Sequence, residues 1–280
     1  MDLPRASGFA VPQHLFDSDA ISAHYLAGRS TTLVLTFGGV GRDPLLPPEV
    51  EFIGSASNHG ENHVLAINDL RRTWYSQPQV IADIERAVDL TMQKVKPRRV
   101  VTVGNSMGGY GAILFAAKFG FNATLAIAPQ FSMNDFVVPE RRWSEYRENF
   151  GAMLAESIGA ALMNSSATTL MLHGVMGRDI RHIELFTMRP RLHHGLVGGE
   201  SHGVGIVMKA RGVLAPVIER LIADDVEGAK QLLSSFKVYW RDQTARDEAE
   251  YIRAMRKEGS ALRAQIREIR LQRRAMQQDG

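Results

Sequence analysis

Gly104-Asn105-Ser106-Met107-Gly108 is the stretch of this 280-residue chain whose residue types and spacing speak most directly of chemistry. A serine hydroxyl can attack a carbonyl carbon and carry the acyl group covalently, provided that a neighbouring base removes its proton. To do so it must stand exposed on a tight turn, in strained backbone geometry. Glycines two before and two after it remove the Cβ atoms that would clash where a strand and a helix nearly touch. The flanks supply those elements. Val100-Val101-Thr102-Val103 is a β-branched run, and the small residues Gly108, Gly109, Gly111, Ala112, Ala116 and Ala117 suit a closely packed helix from Met107 onward. The first turn of that helix would aim its unpaired N–H groups and its positive end at the serine.

Residues 99–117 resemble the nucleophile elbow of the α/β-hydrolase-fold serine enzymes, where Gly-x-Ser-x-Gly joins a strand to a helix. The resemblance implies that fold over about residues 30–222, and a triad in the chain order Ser, Asp/Glu, His. Of the nine histidines, His14, His24, His59 and His63 precede the serine, which is the wrong order, and His193 and His194 fall inside an expected strand. His202 stands past that strand in the glycine-rich loop Gly198-Gly199-Glu200-Ser201-His202-Gly203, and is the expected base. The expected acid is Asp179, in a loop after the strand 168–173, with Glu184 and Asp135 as fallbacks. An aspartate immediately before Ile180 would otherwise serve as a helix cap. Two backbone N–H groups should hold the developing oxyanion. One is that of Met107; the other belongs to Gly38 or Gly39 in Phe37-Gly38-Gly39-Val40-Gly41, where Phe37 takes the place of the histidine common in His-Gly-Gly loops of esterases.

These residues need a scaffold, and the periodicity provides one. Strand-like runs at 32–37, 64–68, 99–103, 123–128, 168–173 and 191–197 alternate with helical stretches at about 78–95, 107–119, 145–163, 180–187 and 204–222. That order predicts an α/β protein with a mostly parallel sheet flanked by helices and a C-terminal helical extension. The expected domain is 1–236, with 131–166 as a lid or cap in which Trp143, Tyr146 and Phe150 either line a pocket or pack the segment onto the body. In the tail, 237–280, the positions Ile252, Met255, Gly259, Leu262, Ile266 and Ile269 follow a heptad seam. Such a helix either pairs with a second copy, giving a homo-oligomer through a short coiled coil, or folds onto its own body.

Composition narrows the function. The chain is 45% hydrophobic and 22% charged, and it has no cysteine, which excludes disulfides, thiolate metal sites and cysteine catalysis. From Arg241 onward ten Arg/Lys face seven Asp/Glu, so the whole net charge of +3 sits on the tail, interspersed with acid residues in a way that speaks against nucleic acid. The start has no basic region leading into an apolar run, and no stretch approaches a membrane span, so the expected location is cytoplasmic. Taken together, the expectation is a serine hydrolase that cleaves a carboxylic ester through an acyl-enzyme, with no cofactor and no metal. Its substrate is a small-molecule or glycan-linked acyl ester. Acyl transfer with the same triad and a catalytically idle scaffold are the alternatives. Arg141, Arg142, Arg178 and Arg181 are candidates for an anionic part of the substrate.

Overall fold

Alternating apolar residues in the strand segments bury both faces of one central sheet, and this determines the layering. The computed structural model describes residues 12–150, 158–241 and 246–260. Its strands are β1 (Gln13–Asp17), β2 (Ile21–Leu26), β3 (Thr32–Phe37), β4 (His63–Asp69), β5 (Arg99–Asn105), β6 (Ala123–Ile127), β7 (Thr168–Gly174), β8 (Leu192–Val197) and β9 (Val238–Trp240). Among the described residues they form a single sheet in the order β1-β2-β4-β3-β5-β6-β7-β8-β9. β3 to β8 run parallel, while β1, β2 and β9 are antiparallel additions.

The helices are α1 (Ile53–Ser57), α2 (Pro78–Val95), α3 (Met107–Phe119), α4 (Gly159–Asn164), α5 (Ile180–Ile183), α6 (Val204–Ala210), α7 (Leu214–Ile222) and α8 (Val226–Leu232). On one face Leu33, Leu35, Phe37 and Leu65 pack with Ile84 and Val88 of α2 and Tyr110 and Phe115 of α3. Val34, Val64, Val101 and Val103 point to the opposite face, against Met208 of α6 and Val217 and Leu221 of α7. The two-residue period of a strand therefore sorts side chains into two cores, giving three layers. No described helix is long and apolar enough to cross a membrane.

All six expected strands are present. The three that the sequence did not disclose are the antiparallel ones, short or at the sheet's margins. Three expected helices differ. The stretch 145–163 is a 3-10 turn over Ser144–Asn149 followed by α4, with 151–157 outside the described residues. The stretch 180–187 is helical only through Ile183. The stretch 204–222 is broken into α6 and α7 around Gly212, whose φ is 70°. The sheet also continues to Trp240, beyond the expected boundary at 236. After it, a helix over 246–260 lies against the body, with Tyr251, Ile252 and Met255 packed on a cluster of Val175, Ile180, Ile183, Leu196 and Tyr239. Gly259 faces the end of the Met176 side chain. The described part of the heptad seam is thus covered by the chain itself; Leu262, Ile266 and Ile269 lie outside the described residues.

At the turn from β5 into α3 backbone packs directly on backbone. A Cβ on Gly104 would lie 2.0 Å from the Gly108 carbonyl oxygen, and one on Gly108 would lie 2.0 Å from that of Phe37. Neither contact can relax by moving a side chain, since both obstacles are backbone. Gly108→Ala is expected to lose at least about 2 kcal/mol in urea unfolding, despite the ~1 kcal/mol by which alanine ordinarily favours a helix over glycine. A midpoint indistinguishable from wild type would contradict the close approach.

Candidate active site

Ser106 occupies the turn between β5 and α3 with φ 57° and ψ −122°, a left-handed backbone that a residue with a Cβ adopts only at a cost. Its N–H is held by the Ile127 carbonyl at 2.8 Å, and its carbonyl accepts from Tyr110 at 3.1 Å, so strand and helix both grip the residue. The hydroxyl stands at the C-terminal edge of the parallel strands. There it meets His202 Nε2 at 2.8 Å, and His202 Nδ1 lies 2.9 Å from Asp179 Oδ2. The expected serine, histidine and aspartate therefore come together, from the ends of β5, β8 and β7. Asp179 accepts at Nδ1, which leaves the Nε2 lone pair directed at the serine, the arrangement a general base requires.

Asp179 immediately precedes α5, yet its side chain makes no capping bond. The carboxylate is turned inward instead, with Oδ1 at 2.7 Å from Arg142 Nη1. Burial would raise its pKa; the bond from His202 and the charges of His202 and Arg142 outweigh that and hold it down to about 2. Arg142 also donates through Nε to Glu140 Oε2 at 2.9 Å, and its guanidinium lies 4.4 Å from the Trp143 ring centroid. Arg142 is thus committed to two carboxylates rather than free to meet an anionic substrate. Arg141, Arg178 and Arg181 are exposed. Burial pushes Glu140 up, but His182 and Arg142 outweigh it and keep the carboxyl well below the ordinary range. The fallback acids are elsewhere: Glu184 is exposed, and Asp135 pairs with Arg147 at 2.9 Å.

Gln130, which the sequence reading missed, is the third neighbour of the serine. Its Nε2 donates to Ser106 Oγ at 3.0 Å, and its Oε1 accepts from Trp74 Nε1 at 2.8 Å. An indole N–H only donates, so the orientation of the carboxamide is fixed. Trp74 itself has φ 55°, in a loop that buried Asp69 holds by accepting from the backbone N–H groups of Thr73 at 2.7 Å and Tyr75 at 2.9 Å. The available signal was position: Gln130 follows the parallel strand β6, at the same sheet edge as the triad. Trp143 stands 5.2 Å from the His202 ring. Tyr146 and Phe150 are buried against Trp74, so they pack the segment onto the body.

The expected oxyanion donors separate. Met107 begins α3, where an N–H has no acceptor within its own helix. The Gly38 N–H continues the β-ladder to the Ile67 carbonyl at 2.9 Å and so is committed to the sheet. The Gly39 N–H donates to Glu51 Oε2 at 3.1 Å. A cavity of about 540 Å³ beside the 3-10 turn is lined by Arg71, Arg72, Gln77, Tyr146 and Asn149 among others, with no triad residue in its wall. Among the described residues no group of three or more His, Asp or Glu side chains is placed to hold a metal ion.

No family model matches the sequence, and no curated protein matches it. Solved structures do. A capsule O-acetyltransferase of Neisseria meningitidis serogroup A is 13% identical with a TM-score of 0.56, over 76% of this chain and 99% of that one. The chain has the α/β-hydrolase fold. Est1E from Butyrivibrio proteoclasticus is similar at 13% identity and a TM-score of 0.51, over 76% of this chain and 99% of that one. An esterase from Pyrococcus furiosus is similar at 12% identity and 0.53, over 76% and 90%.

The depressed pKa of Asp179 has a thermodynamic consequence. A carboxyl near 2 in the folded state and 3.8 otherwise favours folding above about pH 4, and that contribution disappears as the pH falls through 2. Its size is on the order of 2 kcal/mol. Asp179→Asn should therefore flatten the dependence of unfolding free energy on pH between about 4 and 2, as measured by urea titration; an unchanged slope would show that the ion pairs do not form.

Proposed function

We propose that the protein is a serine hydrolase that cleaves a carboxylic ester through an acyl-enzyme intermediate. The observation that carries this is the unbroken sequence of contacts Ser106 Oγ–His202 Nε2 at 2.8 Å and His202 Nδ1–Asp179 Oδ2 at 2.9 Å, on a backbone turn that lifts the serine to the sheet edge. As Ser106 Oγ bonds to the acyl carbon, its proton passes to His202 Nε2, and Asp179 stabilises the imidazolium. The Gln130 amide occupies one lone pair of Oγ, which leaves another for the attack. The carbonyl oxygen, now carrying the negative charge, meets the Met107 N–H at the start of α3. Collapse breaks the ester C–O bond, and the alcohol leaves with the proton from His202. Water then repeats the sequence on the acyl-enzyme and releases the acid. The second oxyanion donor is Gly39, once its N–H is released from Glu51.

Acyl transfer to an alcohol or a sugar hydroxyl is the second reading. Two observations favour it: Ser106 is only 5% exposed, which limits access of bulk water, and one of the similar structures is an O-acetyltransferase. In either case the substrate would be a small-molecule or glycan-linked acyl ester.

A fluorophosphonate probe is expected to label the wild-type protein and leave Ser106→Ala unlabelled. Ser106→Ala and His202→Ala should each lower kcat for p-nitrophenyl acetate by a factor on the order of 10⁵ or more. A folded wild type that takes up no probe would instead support the scaffold reading. For the second reading, adding an acylated sugar with an acceptor sugar should give transacylated product faster than free acid; free acid alone would leave hydrolysis.

A further inference from the structure

Two histidines that the triad does not use are completely buried on neighbouring strands. His173 lies on β7 and His194 on β8. Burying imidazoles in an apolar core is unfavourable unless every ring nitrogen is satisfied. Here each one is. Arg241 Nη1 lies 3.1 Å from His194 Nδ1, His194 Nε2 lies 2.8 Å from His173 Nδ1, and His173 Nε2 lies 2.9 Å from the Pro129 carbonyl oxygen.

The chemistry of the ends fixes the direction of the whole series. A guanidinium can only donate, so His194 Nδ1 accepts and its proton is on Nε2. That proton is donated to His173 Nδ1, which places the His173 proton on Nε2. A carbonyl can only accept, so this last N–H points at Pro129. The series closes only with both rings neutral, and burial lowers the pKa of both, that of His173 to about 4.

The far end is the beginning of the C-terminal segment. Arg241 is held by Glu248 at 3.1 Å, by the carbonyls of Ile183 at 3.1 Å and Phe186 at 3.0 Å, and through its own N–H by the His194 carbonyl at 2.9 Å. The near end is the peptide between Pro129 and Gln130. A peptide unit is planar, so holding the Pro129 oxygen sets the direction in which the chain enters Gln130. On the other side of Gln130, the Phe131 N–H donates to His182 Nδ1 at 3.0 Å. Both peptides that flank the residue touching Ser106 Oγ are thus tied to buried histidines.

We propose that the series Arg241–His194–His173–Pro129 is a positioning device for the nucleophile: it fixes the Gln130 carboxamide that holds Ser106 Oγ, and makes the C-terminal segment part of the reactive site. The inference rests on Ser106 being the nucleophile. A purely structural pair of histidines would contribute to stability alone. A positioning pair sets the rate of the chemical step.

The test uses the full-length chain and two readouts, the second-order rate of fluorophosphonate labelling and kcat with KM for p-nitrophenyl acetate. Both are taken well below the unfolding transition, with folded fraction checked by circular dichroism. His173→Leu removes the donor to Pro129 and is expected to lower kcat and the labelling rate by about ten- to a hundredfold, with KM within about twofold. His173→Gln, which carries an amide donor of similar reach, should recover most of the loss. Arg241→Met breaks the series at its far end and should lower the same rates by about tenfold, which keeps the inference testable where His173→Leu does not fold. Wild-type rates in a folded His173→Leu or Arg241→Met, or equal losses in the Leu and Gln variants, would overturn it. Absence of labelling in the wild type would refute the nucleophile assignment itself, a distinct result.

Discussion

A left-handed backbone at a residue with a Cβ is unfavourable by about 1–3 kcal/mol, and it persists only where the surroundings leave no alternative. At Ser106 they leave none. β5 runs directly into α3, and a side chain on Gly104 would meet the Gly108 carbonyl of α3, while one on Gly108 would meet the Phe37 carbonyl of β3. The serine N–H is taken by β6 and its carbonyl by the first turn of α3. The hydroxyl is consequently pointed away from the sheet by the packing of three elements rather than by any contact of its own. The triad, the amide of Gln130 and the start of α3 are all arranged around a position that the backbone has already determined.

Around that position the polar side chains close a ring. Ser106 meets His202, His202 meets Asp179, and Asp179 meets Arg142. Arg142 meets Glu140, and Glu140 lies 3.3 Å from His182 Nε2. His182 accepts the Phe131 N–H, and the neighbouring Gln130 returns to Ser106. Most of these groups are buried, so each bond acts in a low dielectric and each would be costly to leave unmade. The arrangement ties the segment 131–150, which contributes Glu140, Arg142 and Trp143, to Asp179 and His202 in the loops after β7 and β8. A segment expected to cover the site is thereby also part of what orients it.

Much of this was legible in the sequence, and the boundary between what was and was not is physical. The parallel strands are continuous β-branched and apolar runs because both of their faces are buried, and they stand out for that reason. Ser106, Asp179 and His202 could be placed because glycine-rich loops at strand ends are local features. β1 and β9 were missed because they are edge strands, the first polar and the second only three residues long, and β2 because Ser22 and His24 interrupt its apolar positions. The roles of Gln130 and Arg142 were not legible for another reason: position puts Gln130 at the sheet edge and composition makes Arg142 one candidate of four, but nothing in their own neighbourhoods tells whether a loop glutamine or one arginine among several will turn inward. Gly38 shows the same limit. Gly38 and Gly39 suit a turn equally well by residue type, and only the bond to Ile67 reveals that the first, just past β3, still continues the ladder to β4.

The pairing of Arg142 with two acids rather than one bears on the moment of reaction. Asp179 and Glu140 are negative and Arg142 is positive, so at rest the cluster carries one unit of excess negative charge. Had Arg142 met Asp179 alone, the pair would be neutral, and an imidazolium formed beside it would leave the cluster with an excess positive charge. An unbalanced charge in such a partly dehydrated place is expensive. Glu140 cancels the guanidinium and so returns to Asp179 its full attraction for a protonated His202. The cluster would reach electroneutrality with a positive charge on the His202 ring. Glu140, which does not itself touch His202, thus leaves room in the charge balance of this cluster for one positive charge on the ring.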